Sequence, residues 1–394
     1  MRYTFRTGTK YSCPARVDSP TIPPMTFFQA ARRLALLLAF LAPVHVMAEN
    51  APVQNAPVKK QLNCKKHRFF SLFAETDYPA FSKAKAEFID QAVARYGFEK
   101  NNIGCIFEQV HPIDKVTRLI RPAPSGQRKN WKAYRARFVD PIRVRTGAAF
   151  WDRYETTLAR AEKQYGVPAE IIVGIIGVET IYGRNTGNFR IVDALATLAF
   201  SYPDTPNRNA RMAFFRNELE QTLLFAQEAG IDPLSLRGSY AGAIGWPQFM
   251  PGTLRRYGVD FDGDGKIDLL NSPVDAIGSV ANYLAEHGWK RGAPLTFPAQ
   301  VDSTCAKSAA SLISQELAAR LSSSDLKNVC VSGGTALPAN TLFGLVDLQN
   351  GAAPTEYWLG TNNFFAITHY NRSFFYAMSV IELGRAVRSY RDGR

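Results

Sequence analysis

Ile171-Ile-Val-Gly-Ile-Ile-Gly-Val-Glu179 runs apolar for eight residues and then presents one carboxylate. A segment that is apolar on every side belongs to a buried element, so the rest of the chain has to pack around it. At its edge Glu179 faces desolvation, which lifts a carboxyl pKa and keeps the group protonated near neutral pH. Such a group serves as a general acid. The competing reading is structural: the helix ends here and Glu179 is its first exposed residue.

Working outward, Gly166-Val167-Pro168 ends a helix predicted over 147–165. Pro168 then opens the apolar helix, because the first helical N–H needs no partner. Helical spacing also marks 78–96, where Phe81, Ala84, Phe88, Ala92 and Val93 recur at three and four residues, and 130–139. Further helices are predicted over 191–200, 207–229, 275–287, 308–321 and 373–390. Between 294 and 359 the texture changes, with β-prone runs at 329–331 and 341–348 set among Gly, Ser and Asn. The expected architecture is mainly α. A helical lobe over 64–150 precedes a catalytic core over 151–293, an α+β subdomain over 294–360 and a C-terminal segment over 361–394 that completes the core.

Residues 1–48 read as targeting sequence. Arg32 and Arg33 precede an apolar stretch from Leu34 to Val44, and Val46-Met47-Ala48 offers a small-residue cleavage site. Residues 1–24 have no signal character, so translation is expected to start at Met25. The stretch is too short for a transmembrane helix, and nothing later reaches the length that would span a bilayer. Secretion into the periplasm is expected, with no lipid anchor, since no cysteine follows the cleavage site. Residues 49–63 form a polar, proline-bearing leader, a flexible tether.

The first 48 residues hold six basic and one acidic side chain, so the formal charge falls from +13 to +8 on cleavage. A basic secreted chain suits an acidic polymer such as peptidoglycan peptides, teichoic acids or a phospholipid surface, or simply favours solubility. Nucleic acid is not expected, because the basic residues are scattered and no nucleic-acid motif is present. Cys64, Cys105, Cys305 and Cys330 remain, an even count that suits two disulfides, and sequence permits three pairings. Local pairing, Cys64–Cys105 with Cys305–Cys330, is expected, each bridge contributing roughly 3–4 kcal/mol through the unfolded chain. No CxxC spacing points to zinc.

Three further segments carry chemistry. Ser239-Tyr-Ala-Gly-Ala-Ile-Gly-Trp-Pro-Gln-Phe-Met-Pro251 combines small residues with flat apolar faces, and Gln248 adds an amide. Sugars need such surfaces, because they present apolar faces rimmed by hydroxyls, although an aromatic turn can equally be packing. Asp260, Asp262, Asp264 and Asp268 alternate through DFDGDGKID, matching the first nine positions of an EF-hand calcium loop. Asn271 stands at position twelve in place of the usual glutamate, and Asp275 is the acid that would close a longer loop. The third segment is His369-Tyr-Asn-Arg-Ser373 with Tyr376, where Asn371 either caps the last helix or serves a site. Trp131 and Tyr134 read as core residues in isolation.

Together GVETIYG, SYAGAIGWPQFMP, DFDGDGKIDL, VANYLAEHGW and HYNRSFFYA resemble the membrane-bound lytic murein transglycosylase B family, over roughly residues 64–390. The resemblance implies a lysozyme-like fold and cleavage of the β-1,4 bond between N-acetylmuramic acid and N-acetylglucosamine, with closure of a 1,6-anhydro ring. It implies Glu179 as the acid/base, Ser239, Gln248 and Asn371 around the reacting sugar, and Tyr134, Tyr283, Tyr370 and Tyr376 lining the cleft. It also implies calcium, as a structural ion, on Asp260, Asp262, Asp264, the Lys266 carbonyl and Asp275. The stretch between Asp268 and Asp275 is one residue longer than in the best-known member, and the lipid-attachment cysteine of the anchored members is missing. Most glycosidases use two carboxylates; no second acid lies near Glu179 in sequence, so Asp193 and Glu218 are the candidate spatial partners. A hydrolytic muramidase and a non-catalytic peptidoglycan-binding scaffold are the alternatives. The expected partners are glycan strands, with cell-wall synthases or amidases beside them, and the expected state is a monomer.

Overall fold

A computed structural model describes residues 62, 64, 78–122, 126, 128–313 and 317–393. The expected signal peptide over 1–48 and nearly all of the leader lie outside the described residues. Six helices precede the apolar run: α1 (Pro79–Tyr96), α2 (Lys100–Glu108), α3 (Asp114–Leu119), α4 (Trp131–Arg135), α5 (Pro141–Arg153) and α6 (Glu155–Tyr165). The run itself is α7 (Ala169–Thr180), 12 residues of which ten are buried. Pro168 stands just before its first residue rather than inside it.

Downstream come β1 (Phe189–Arg190), α8 (Ile191–Phe200), α9 (Arg208–Ala229), β2 (Arg237–Gly238), α10 (Pro251–Tyr257) and α11 (Pro273–Glu286). The segment of changed texture holds β3 (Thr296–Val301), α12 (Ala306–Ile313), α13 (Ser323–Asn328), β4 (Val331–Gly333), β5 (Gly344–Asn350) and β6 (Ala353–Gly360). The chain closes with α14 (Asn362–Tyr370) and α15 (Phe374–Asp392). The protein is mainly α, as the sequence predicts.

Apolar residues from α1 through α15 form one continuous core. A smaller core of Ala309, Leu326, Val331, Phe343, Leu345 and Leu359 joins α12 and α13 to an antiparallel sheet of order β4-β3-β6-β5. Disulfides link Cys64 to Cys105 and Cys305 to Cys330. Among the described residues no helix is long and apolar enough to cross a membrane.

The packing that matters most for the site is α15 along α7. A Cβ on Gly174 would stand 2.3 Å from the Val380 carbonyl oxygen, and one on Gly384 would stand 2.2 Å from that of Glu170. Only glycine at these positions lets the two backbones approach so closely. The C-terminal helix is thereby seated against the helix that carries Glu179.

Three local expectations differ from what is found. The helix predicted over 147–165 is two helices, broken at Tyr154 (φ −114°, ψ 24°), whose ring packs on Phe150 at 4.9 Å. Tertiary packing overrides the local period there. The helix predicted over 130–139 is a single turn, started by Asn130 accepting from the Ala133 N–H at 3.0 Å. Of the helix predicted over 308–321, the described residues up to Ile313 are helical and 317–321 are not.

Candidate active site

α7 delivers Glu179 in its last turn, and α15 brings Tyr376 to meet it. The Tyr376 hydroxyl donates to Glu179 Oε1 at 2.5 Å. Burial pushes the Glu179 carboxyl from its ordinary 4.5 up to about 7, against the downward pull of that hydroxyl. The other reading, a freely exposed helix end, does not hold: Glu179 is only partly exposed. Both candidate second acids are engaged by other groups. Asp193 is bound by Arg190 at 2.7 and 2.8 Å, and Glu218 accepts the Gly252 N–H at 2.8 Å.

After Thr180 the chain turns sharply, with Ile181 (φ 52°) and Tyr182 (φ 55°) both left-handed. The Thr180 hydroxyl fixes this turn by accepting from the Gly183 N–H and donating to the Trp246 carbonyl, each at 3.0 Å. The end of the acid's helix is thus tied to the 239–251 segment. Trp246 extends the link, its N–H groups donating to Leu269 O at 2.9 Å and Leu270 O at 3.2 Å.

Within that segment Ser239 Oγ accepts from the Ala243 N–H at 3.0 Å, which leaves its own proton free to be donated. Gln248 sits at φ 51°, and its amide nitrogen donates to Thr186 O at 3.0 Å and Gly245 O at 2.8 Å. Its amide oxygen remains as an acceptor. Asn371 is not the cap of the last helix. Ser373 is, accepting from the Tyr376 N–H at 3.3 Å, and the Asn371 side chain has no hydrogen bond among the described residues.

The aromatic residues form a continuous wall. Tyr370 stacks near-parallel on Tyr376 at 6.2 Å and meets Tyr283 edge-on at 5.1 Å, and Phe249 touches both Tyr283 and Tyr370. Their hydroxyls are anchored, Tyr370 to Pro247 O and Tyr283 to His369 O at 2.8 Å. Tyr134 packs against Phe375 and Trp131. Burial first, and then the Glu179 charge, push the phenols of Tyr134, Tyr370 and Tyr376 upward, so all three stay neutral.

Two residues that sequence reasoning did not single out support the site. Arg143, buried on α5, donates to Gly177 O at 3.2 Å and Arg137 O at 2.8 Å and pairs with Asp140 at 2.6 Å. It therefore fastens α7 to the turn that follows Tyr134. Thr180 is the second, and it lies within GVETIYG, directly after the acid.

The acidic loop is separate from this cleft chemistry. Oxygens of Asp260, Asp262 and Asp264 lie within 4.8 Å of one another, and none of the three is ion-paired among the described residues. Asp260 also shapes the loop, accepting from the N–H groups of Gly263, Asp264 and Gly265 at 2.7–3.1 Å. The structure does not gather Asp275 with these three. Its buried carboxylate accepts from the N–H groups of Phe261, Asp262 and Asp268 at 2.8, 3.3 and 2.8 Å. Three converging carboxylates without a cationic partner fit a hard divalent cation.

Comparison with known proteins agrees with this geometry. Residues 80–385 match the family described as Transglycosylase SLT domain. Membrane-bound lytic murein transglycosylase B of Escherichia coli (strain K12) is 43% identical over 310 residues, 76% of this chain and 81% of that protein. The soluble lytic transglycosylase SltB1 from Pseudomonas aeruginosa superposes with a TM-score of 0.71 at 43% identity, covering 78% of this chain and 99% of that one. The Escherichia coli lytic transglycosylase Slt35 in complex with calcium gives 0.69 at 41% identity, covering 78% and 94%. SltB3 from Pseudomonas aeruginosa in complex with NAG-NAM-pentapeptide gives 0.67 at 33%, covering 78% and 80%. The lysozyme-like fold implied by the sequence is the fold of these neighbours. The chain belongs to the Transglycosylase SLT domain family and is a lytic murein transglycosylase.

Proposed function

We propose that Glu179 is the sole acid/base of this enzyme. The observation that carries the reading is a half-buried carboxyl held near pKa 7 and hydrogen-bonded by Tyr376. Protonated Glu179 gives its proton to the oxygen of the β-1,4 bond between N-acetylmuramic acid and N-acetylglucosamine, and the bond to C1 breaks. The resulting carboxylate takes the proton of the muramoyl C6 hydroxyl as that oxygen bonds to C1, so a 1,6-anhydro ring forms and no water is consumed. Ser239, Gln248 and Asn371 orient the sugar, and Tyr134, Tyr283, Tyr370 and Tyr376 line its path.

Asp260, Asp262 and Asp264, with the Lys266 carbonyl, hold a calcium ion, and Asp275 shapes the loop from beneath through its backbone contacts. Such an ion supplies rigidity, since the loop meets the cleft through the Leu269 and Leu270 carbonyls that anchor Trp246 and through its packing on α11, which carries Tyr283. The enzyme acts in the periplasm on glycan strands, as a monomer, beside synthases or amidases of the cell wall.

Mass spectrometry of fragments released from purified sacculi tests the reading. The expected products are one water lighter than hydrolytic muropeptides and vanish with Glu179→Gln. Reducing-end products would make the protein a muramidase, and binding without release would make it a scaffold.

A further inference from the structure

We infer that a groove on the outer face of α5 receives the peptide branch of the substrate through its carboxylates; the inference rests on the peptidoglycan reading above. The groove has a volume of about 480 Å³ and is lined by Ile142, Arg145, Thr146, Ala149 and Arg184. The opposite face of α5 is committed to the core through Arg143, Gly147, Ala148, Phe150 and Trp151. Ile142 is 46% exposed, one of three large hydrophobic side chains left so open among the described residues. Within the groove Ile142 and Ala149 offer apolar surface beside the two cationic side chains, a combination that suits a ligand with both characters.

The two guanidinium groups supply the charge. Arg95, Arg135, Arg143, Arg190, Arg255, Arg388 and Arg391 all have carboxylate partners. Arg145 and Arg184 are among the arginines that have none among the described residues, both are exposed, and both line this one groove. A guanidinium offers a planar fork of donors that matches a carboxylate. Peptidoglycan peptides carry free carboxylates and small methyl side chains, which pair with the arginines and with Ile142 and Ala149 in turn.

Position adds the third argument. Arg184 lies in the turn that closes α7, five residues after Glu179. Five residues of chain span at most about 18 Å, so the groove begins within that distance of the acid, and an extended pentapeptide covers about 17 Å. A peptide hung on a sugar beside Glu179 is thus long enough to span the largest separation that the chain allows between the acid and Arg184.

The test is kinetic and uses two soluble substrates, glycan strands that keep their peptides and the same strands stripped of them by an amidase. The double variant Arg145→Ala with Arg184→Ala alters only exposed side chains. On peptide-bearing strands kcat/KM is expected to fall about tenfold, mainly through KM, with a smaller deficit at high salt. On stripped strands the variant should match the unmodified enzyme. Equal losses on both substrates, or no loss on either, would overturn the groove assignment. Anhydro ends made by the unmodified enzyme report on the cleavage reading separately. Their absence would overturn that reading and this one with it, whereas their presence alongside equal losses overturns only the groove.

Discussion

Replacing Glu179 by glutamine is expected to stabilise the protein at neutral and alkaline pH while abolishing its activity. The carboxyl titrates at 4.5 in an unstructured chain and at about 7 in the fold. Below the lower value both states are protonated and Glu179 contributes no difference. As pH rises from 4.5 toward 7, the unfolded chain ionises first and the folded state loses stability relative to it. Above the folded value the loss is constant. Each pH unit between the two values is worth about 1.36 kcal/mol, so ionisation costs the fold about 3 kcal/mol, an upper bound because Glu179 partly faces the solvent of the cleft. Glutamine carries no charge, and its amide oxygen still accepts from Tyr376. Urea unfolding of both proteins at about pH 4 and about pH 8 makes the comparison. Glu218, also raised to about 7 by burial, is present in both proteins and cancels. The curves should coincide in acid, and the variant should be more stable by about 1–3 kcal/mol at the higher pH. A gap of equal size at both pH values, or greater stability of the unmodified protein at high pH, would refute the argument.

Tyr376→Phe removes the hydroxyl that lowers the Glu179 pKa, so that pKa moves further above its present value. Activity that needs protonated Glu179 is lost as pH rises through this value, so the alkaline limb of the pH–rate profile should shift upward by about one unit. Gly245→Ala places a Cβ 2.0 Å from the Leu269 carbonyl oxygen at φ 74°, and thermal melts should show a loss of about 1–3 kcal/mol. Chelation should lower the melting temperature more than it lowers the initial rate in the cold, because Asp260, Asp262 and Asp264 repel one another without a cation. Calorimetry and rate assays on one chelated sample decide this, and an equal loss of rate in a still-folded protein would count against a structural ion.

The chain was legible where an apolar run has clear ends. α8 spans the residues predicted for it, because a helix buried on every side shows one apolar run with clear ends. α7 was equally plain, and its position beside α15 follows from the glycines that interrupt both helices. β3 and β6 were not visible. β3 contains Pro298, which argues against a strand, and its residues are at most half-buried, so no strong apolar alternation marks it. Arg143 was invisible for a different reason. Apart from Asp140, its partners are backbone carbonyls, one of them Gly177, 34 residues away, and no residue type records such a contact. Asn371 could not be separated from Ser373 as the helix cap until the backbone was placed.

The economy of a single carboxylate depends on helix packing as much as on the acid itself. A group that must donate and then accept a proton works best with a pKa near ambient pH, where both forms are populated. Burial at the end of α7 raises Glu179, Tyr376 lowers it, and the balance falls at about 7. A second carboxylate in contact would add like-charge repulsion and drive that value higher. The site instead surrounds the acid with neutral phenols, which orient hydroxyls without competing for the proton. This balance needs Tyr376 at 2.5 Å from Glu179, and that distance is set by the α7–α15 contact. Gly384→Ala would place a Cβ 2.2 Å from the Glu170 carbonyl oxygen, two turns of α15 beyond Tyr376. Relief requires the helices to part by about 1 Å, and a displacement of that size can cost about 100-fold in rate. The variant should therefore lose kcat and show the upward shift of the alkaline limb expected for Tyr376→Phe, although it touches neither the acid nor the phenol. A folded Gly384→Ala protein with an unchanged pH–rate profile would show that Tyr376 is positioned by something other than this packing.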